Sequence, residues 1–600
     1  ETAIMCYIVL YVLLLYWVMN MYVAINGTGN SKSIYIMSSY RKNNGKTSSR
    51  IFRKLGRLND LLPQFDNNEE KLLEWARSEA KKDTLSHQQD TAPVLIPFSS
   101  DKKIKKNEVL LFNVGYLFLQ SICSNLHFDN ICRNIKNHHK FEYDIHRILC
   151  DLVYARVLYP SSKRSSFSFA HSLLEQPKYK LQDIYRSLSI LAEESDYIQA
   201  EVYRNSNFLH KRNTKVLYYD CTNYYFEIEQ EDELKKYGKS KEHRPNPIVG
   251  MGLFMDGDGF PLAFDIFPGN QNEQKSLKPL EHKVIQDFDC SEFIYCSDSG
   301  LASQNNKLFN DIGGRSYVIT QSLKKLKKED RDIALNTKQY RKVGSSTFID
   351  LKDLDENDPE VYESIYYKEV PIESKKISET LIVTYSPKYK AYQEKIRQGQ
   401  IDRAKNMISK NGKIKKNRKN PNDPSRFTKR TSITANGEVA EEEIYEIDQE
   451  AIDKEAMYDG FYAVSTDMEG DVAEIIAINK RRWQIEEGFR IMKTDFDARP
   501  IYLQREDRIK AHFLICFLSL LIYRILEYKL EKKYTSEQII DTLRKMNVTK
   551  LKEGLGYIPS YTRTDLTDLL HELFGFETDR EIIKRSTMRN IIKYTKEHHI

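Results

Sequence analysis

Three apolar stretches, two that end on an acidic residue and one that turns around a pair of them, constrain this chain more than any other feature. Thr214–Asp220 (TKVLYYD) is rich in β-formers and closes on an acid. Pro247–Phe267 (PIVGMGLFMDGDGFPLAFDIF) holds two apolar runs around Asp256-Gly257-Asp258-Gly259, a pattern that predicts a β-hairpin. Glu292–Asp298 (EFIYCSD) reads as a buried strand closing on a second acid, and Ser316–Gln321 (SYVITQ) as a further strand. Helical patterns cover Gln274–Phe288 and the segment after Ser299-Gly300. Strand, hairpin, helix, strand, helix, strand predicts an α/β layer on a mixed sheet.

The rest of the chain is organised around that layer. With 600 residues, three or four domains are expected. Met5 to Ile25 is apolar and long enough to span a bilayer, but it lacks the basic flank and small-residue cleavage site of a signal peptide. Residues 1–20 are expected to be upstream read-through before a start at Met21; the alternative is a true hydrophobic extension. Residues 21–57 predict a basic hairpin, with Ser33–Tyr40 and Thr47–Lys54 flanking Asn44-Gly45. Its cations, among them Arg50, Arg53 and Lys54, suit either a solvated face or a small DNA-contacting module.

Residues 58–210 read as helical, with helix-spaced apolar residues in Leu111–Leu126 and Ile145–Leu158. They form either a DNA-end-binding region or a plain bundle. The α/β layer occupies 211–321 and resumes over 461–530. Between these lies a partly β insertion, 322–460, with Lys324, Lys325, Lys327 and Lys328 near its start. It also carries a basic stretch holding Lys413, Lys415, Lys416, Arg418, Lys419, Arg426, Lys429 and Arg430. Residues 531–600 read as a helical tail. In the Asp507–Lys529 helix the apolar run Phe513–Ile522 is short and bounded by Lys510 and Arg524, so a buried helix is expected and no membrane span. None of the eight cysteines forms a C-x-x-C pair, which argues against a zinc knuckle and for a reduced, cytoplasmic setting. The net charge of +6 does not by itself define a nucleic-acid partner.

Asp220 and Asp298, each closing a strand, are candidates to converge at one end of the sheet. Converging carboxylates suit phosphodiester chemistry, in which two Mg²⁺ ions bound by hard oxygen ligands activate the attacking oxygen and stabilise the leaving one. A third acid comes from a helix expected over Glu474–Lys493. There Ile478, Ile485, Phe489 and Met492 face the core, and Arg482, Glu486, Arg490 and Lys493 share a neighbouring face. Spacing alone leaves two readings: an exposed i,i+4 ion-pair ladder, or a metal-binding glutamate flanked by phosphate-binding cations.

Arg482, Glu486 and Lys493 fit R-(3)-E-(6)-K, and the helix resembles the Y-R-E-K signature of bacterial insertion-sequence DDE transposases. The tyrosine position of that signature falls on Asn479, a departure. YYDCTNYYFE around Asp220 and IYCSDSGLAS around Asp298 resemble the family's two aspartate strands. Phe267-Pro268-Gly269-Asn270 with Glu273, Arg499-Pro500-Ile501-Tyr502 and Arg508 to Phe513 resemble further segments of it, in the family's order. The resemblance runs from about Met21 to Leu530. It implies a ribonuclease H-like mixed-sheet core interrupted by an insertion, and Asp220, Asp298 and Glu486 as the catalytic, metal-binding carboxylates. It also implies two Mg²⁺ ions (Mn²⁺ able to substitute), binding of terminal inverted repeats and target DNA, and a homodimer in the DNA complex. Arg482, Arg490 and Lys493 are then expected to hold DNA, with Trp483 and Tyr225 either available to stack on an unpaired base or buried in the core. The nucleoid in the cytoplasm is the expected location. The competing readings are a nuclease of the same fold without strand transfer and a non-catalytic DNA-binding relic.

Overall fold

The computed structural model describes residues 21–28, 32–41, 47–91, 96, 99–373, 377–410, 422–431 and 444–597. The chain divides into two compact units, 1–108 and 109–600.

In the first unit, β1 (Met21–Asn26), β2 (Ser33–Arg41) and β3 (Thr47–Arg57) form an antiparallel sheet in that order. The expected hairpin thus gains a third strand, while its Asn44-Gly45 turn lies outside the described residues. A helix over Glu69–Thr91 buries Leu72 and Ala76, four residues apart on one face, against Ile34 and Leu58. A two-stranded ribbon is marginal in water, and this helix supplies the missing apolar cover. The hairpin module therefore extends beyond the expected boundary at 57. Arg53 pairs with Glu79 and Asp83 of the helix, so part of the basic face is already neutralised.

The second unit begins with β4 (Leu111–Asn113), a strand where a helix was expected; the helix starts only at Tyr116. The layer foreseen over 214–321 is present as β5 (Val216–Tyr225), β6 (Ile248–Asp256), β7 (Pro261–Pro268), β8 (Ile294–Ser297) and β9 (Ser316–Thr320). The insertion supplies β10 (Tyr340–Lys342), β11 (Phe348–Ile349), β12 (Tyr366–Glu373), β13 (Ser378–Tyr385), and a separate pair, β14 (Thr428–Thr431) and β15 (Ile444–Ile447). The sheet is completed by β16 (Phe461–Thr466). Among the described residues the order is β11-β10-β12-β13-β16-β9-β8-β5-β6-β7. The β5–β8 and β8–β9 pairs are parallel and the others antiparallel.

Four strands of the insertion therefore extend the α/β layer's own sheet instead of forming a body apart from it. The apolar alternation of Leu381, Val383 and Tyr385 is satisfied against Tyr366 and Ala463 in one small core. Lys413, Lys415, Lys416, Arg418 and Lys419 lie outside the described residues, while Lys429 and Arg430 sit on β14.

The sheet is covered on both sides, which accounts for β6 being buried at every position. Period-two alternation sends Leu217, Tyr219, Tyr295 and Tyr317 to one face, against Leu277, Leu280 and Val284 of the Leu277–Asp287 helix. Tyr218, Cys296, Leu253 and Met255 point to the other, against the Glu506–Lys529 helix and Ile485, Phe489 and Met492. That helix is long and apolar enough to cross a membrane, but 94% of its apolar window is packed inside the molecule. Phe513 and Phe517 are fully buried in it, each stabilising by roughly 2 kcal/mol.

The C-terminal region is not wholly helical as expected. It contributes β17 (Asn547–Lys550), β18 (Gly556–Pro559) and β19 (Ile583–Lys584), in a sheet of order β19-β18-β17-β4. Pairing between Leu111 and Thr549, remote in sequence, decides the conformation of both segments, and local periodicity carries no signal of it.

Candidate active site

Strand register brings the first two carboxylates together. Parallel pairing sets Val216 beside Ile294, Leu217 beside Tyr295 and Tyr218 beside Cys296. Two residues further on, the same register aligns Asp220 with Asp298, just past the end of β8. Both share the parity of Tyr218 and Cys296, so both sit on the face covered by the Ile485 helix. Burial raises the Asp220 carboxyl to about 6, with Asp298 adding to the rise and Lys241 and Arg482 opposing it. Asp220 Oδ1 accepts the Cys221 N–H at 2.7 Å, and Asp298 Oδ1 accepts the Gly300 N–H at 2.8 Å. The second oxygen of each accepts no hydrogen bond among the described residues.

The helix expected over Glu474–Lys493 is divided. Val472–Lys480 ends in a tightened turn, where Arg482 N–H bonds the Asn479 carbonyl and Ile485 N–H the Arg482 carbonyl. Trp483–Arg490 follows, and then a π turn over Ile491–Asp495. Arg482 and Glu486 form an ion pair at 2.8 Å, the first rung of the ladder reading. Yet Arg482 is not idle on the surface. Burial pulls its pKa down, but Glu486, Tyr462, Asp220 and Asp298 together hold it above its ordinary value. The guanidinium thus lies within the field of all three predicted carboxylates.

The four expected side chains do not stay together. Each four-residue step overshoots a helical turn by about 40°, so two steps carry Arg490 roughly 80° round from Arg482. Arg490 accordingly bonds Ser536 Oγ at 3.1 Å and lies 3.5 Å from Asp495. It lines a hollow of about 350 Å³ with Trp483, which is 54% exposed. Trp483 and Arg490 are therefore placed apart from the carboxylates. Lys493 faces the site: it lies 3.4 Å from Glu242, sits over the Tyr224 ring, and is lowered to about 8 by burial and Lys241, with Asp220 opposing. Tyr225 is buried beneath the Arg244 guanidinium.

A second group at the site went unforeseen. The connection between β5 and β6 folds back along the strands and delivers Lys241 and Glu242. Asn223 on β5 holds it, bonding the Lys239 carbonyl and the Lys241 N–H at 3.1 Å each. Gly238 and Gly269 allow the approach: a Cβ on Gly238 would stand 2.0 Å from the Gly269 carbonyl oxygen, and one on Gly269 2.1 Å from that of Ile248. Lys241 Nζ donates to the Cys221 carbonyl and lies 3.4 Å from Glu273. Burial works against its charge, but Asp220 and Glu273 prevail and its pKa is raised. Glu242 pairs with Lys493 and with Arg499, joining the loop to the segment beyond the π turn. The sequence signal available was the S-K-E-H-R-P run at 240–245, whose charges read as an ordinary polar loop.

Asn479 is also integrated. Tyr462 on β16 receives a hydrogen bond from Asn479 Nδ2 at 3.2 Å and shares one with Thr320 Oγ1 at 2.7 Å. A phenol from a neighbouring strand thus stands one turn before Arg482. The other acids are occupied elsewhere. Asp256 is buried, caps the β6–β7 turn through the Asp258 and Phe260 N–H groups, and pairs with Arg212. Asp258 pairs with His210, and Asp265 lies toward Lys283 and Lys510.

The donor set fits a hard divalent cation in chemistry: three carboxylates, each with an oxygen free of hydrogen bonds among the described residues, two of them mutually repelling. Their ligand atoms are not gathered into one cluster. Among the described residues, only Asp568, His571 and Asp579 bring three such atoms within 4.8 Å of one another. There Arg563 already pairs with both aspartates, and His571 Nε2 accepts the Thr578 N–H, which leaves the proton on Nδ1, the atom facing Asp579. That group is an ion-pair network with no lone pair to offer a metal from Nδ1.

No curated protein matches the chain. Among solved structures, a piggyBac transposase synaptic complex with hairpin DNA is similar at a TM-score of 0.33 and 10% identity, covering 80% of this chain and 84% of that one. Residues 225–522 match the family model described as a transposase DDE domain. That span begins just after Asp220 and contains Asp298 and Glu486, and it supports a DDE transposase family for this chain.

Proposed function

We propose that this protein is a DNA transposase that binds the terminal inverted repeats of its element and carries out divalent-metal-dependent strand cleavage and strand transfer. The observation that carries the reading is the register of β5 and β8, which sets Asp220 and Asp298 side by side under the helix bearing Glu486. The order β7-β6-β5-β8-β9, antiparallel up to β5 and parallel beyond it, is the arrangement expected of a ribonuclease H-like core. R-(3)-E-(6)-K of the Y-R-E-K signature is met, and Tyr462 supplies a hydroxyl beside the position where Asn479 replaces its tyrosine.

Asp220, Asp298 and Glu486 would hold two Mg²⁺ ions, or Mn²⁺ in their place. When bound, such ions supply activation of the attacking oxygen and stabilisation of the leaving one. The chain's own residues prepare that chemistry. Asp220, at about 6, is ionised at neutral pH and so able to serve as a ligand, and Glu486 would have to exchange its pairing with Arg482 for the metal. Arg482, freed of Glu486, and Lys493 and Lys241, already beside Asp220, are placed to hold phosphate oxygens. Glu242 positions Lys493 and Arg499. Trp483 and Arg490 contact DNA away from the reacting phosphate. A homodimer joining two element ends in the cytoplasm completes the reading.

Product analysis tests it. DNA carrying the gene's flanking ends, incubated with the protein and Mg²⁺ or Mn²⁺, is expected to yield 3′-hydroxyl ends and their joined products with target DNA. Cleavage without joining would show a nuclease, and binding without cleavage a relic.

A further inference from the structure

Next to the carboxylates a groove of about 510 Å³ runs between the Pro387–Ser409 helix and the ends of β9 and β16. Its lining includes Ser299, which follows Asp298, and Tyr462, which is bonded to Asn479 just ahead of Arg482. Tyr389, Tyr392 and Ile396 stand at i, i+3 and i+7 on the helix, so they form one stripe along it. They are 37%, 60% and 43% exposed, whereas Ile401 and Ala404 of the same helix are buried. The two tyrosine rings lie nearly parallel, 19° apart in plane, with centroids 6.4 Å apart. Tyr458 and Phe461 add further rings to the lining.

The charges in the groove sort into held and available ones. Arg397 is fixed by Asp459 and Arg426 by Glu455. Lys324 lines the groove with its ammonium over the Tyr458 ring. It opens the run Lys324, Lys325, Lys327, Lys328, all exposed and none paired with a carboxylate among the described residues. Aromatic faces beside unpaired lysines match a chain of bases and phosphates. The match is to a single strand, because the bases of a duplex are stacked on one another and their faces are not available.

We propose that this groove binds an unpaired DNA strand adjoining the cleavage site, with bases on Tyr389 and Tyr392 and a phosphate on Lys324. The inference rests on the transposase reading for the identity of the strand, but its test does not depend on catalysis. Binding of a fluorescein-labelled oligothymidylate, and of a labelled duplex of equal length, is measured by anisotropy with the full-length protein and no divalent ion. Tyr392→Ala is expected to weaken single-strand binding about tenfold or more, the effect of losing one base–aromatic stack, and to leave duplex binding within about twofold. Tyr392→Phe retains the ring and the binding. Lys324→Gln is expected to make the salt dependence shallower by about 0.7, the value of one phosphate contact on a single strand. Single-strand affinity unchanged in the Tyr389→Ala/Tyr392→Ala double variant, or an equal loss on duplex, overturns the proposal. Cleavage by the parent with tyrosine-insensitive binding removes the groove alone. Tyrosine-dependent single-strand binding without cleavage upholds the groove and removes the catalytic reading.

Discussion

Replacing Asp220 with Asn should stabilise the metal-free protein at pH 8. The Asp220 carboxyl is held at about 6 against an ordinary 3.8, chiefly by burial, so its ionised form is disfavoured in the fold. At 1.36 kcal/mol per pH unit, that displacement corresponds to about 3 kcal/mol. Asp220 is only partly buried, and solvent screening reduces the figure to about 1–3 kcal/mol. An acid whose folded pKa is raised binds its proton more tightly when folded. The penalty is therefore absent below about pH 4 and fully present above about pH 6. Asn keeps an acceptor for the Cys221 N–H and carries no charge. For a unit of roughly 500 residues, with an unfolding entropy of roughly 1 kcal/mol/K, the gain is about 1–3 °C in Tm. Thermal unfolding of both proteins in chelator at pH 8 and at pH 4.5 measures it. Added Mn²⁺ should raise the parent's Tm and not the variant's. An equal or lower Tm for Asp220→Asn at pH 8, or a gain that persists undiminished at pH 4.5, would refute the electrostatic argument.

Other consequences follow from the same geometry. Lys241→Ala removes a cation that lowers the Asp220 pKa, so the acidic limb of metal-dependent cleavage, and of the Mn²⁺-induced Tm rise, should move to higher pH; an unmoved limb would separate Lys241 from Asp220. In the parent, metal competes with a proton at Asp220, so apparent metal affinity should fall up to tenfold per pH unit below about pH 6. Gly269→Ala puts a Cβ 2.1 Å from the Ile248 carbonyl oxygen and should lower Tm by several degrees while displacing the Lys241 loop; a variant of parental Tm and activity would show that the loop has room to shift.

The two acids were legible because a short β-rich run that reaches an Asp needs only period-two alternation to be recognised, but only Asp298 stands at a strand end: β5 runs on past Asp220 to Tyr225, its last five residues paired with β6, which the run up to Asp220 does not reveal. The Asp256–Gly259 turn needs only its glycines. The placement of Glu486 on a helix packed against that sheet was legible from Ile485, Phe489 and Met492. What escaped was set by contacts distant in sequence or by small departures from ideal winding. The tight turn at Arg482 and the π turn at Ile491 have no composition signature, so one continuous helix was expected. Counting in fours hid the drift of Arg490 away from the site. Lys241 and Glu242 sit in a loop whose path depends on two backbones touching at Gly238 and Gly269. The insertion's strands read as strands, but their choice of β16 as a partner is a tertiary event.

The central claim is that Asp220, Asp298 and Glu486 form one catalytic metal site, and Glu486→Gln tests it most directly. The parent and variant would be compared, with DNA bearing the gene's flanking ends and Mg²⁺ or Mn²⁺, for 3′-end nicking and joining. The account predicts that nicking and joining are abolished in the variant while DNA binding is retained, since Glu486 is 55% exposed and its loss costs the fold little. Equal activity in the two proteins would show that Glu486 is not the third carboxylate and would contradict the account.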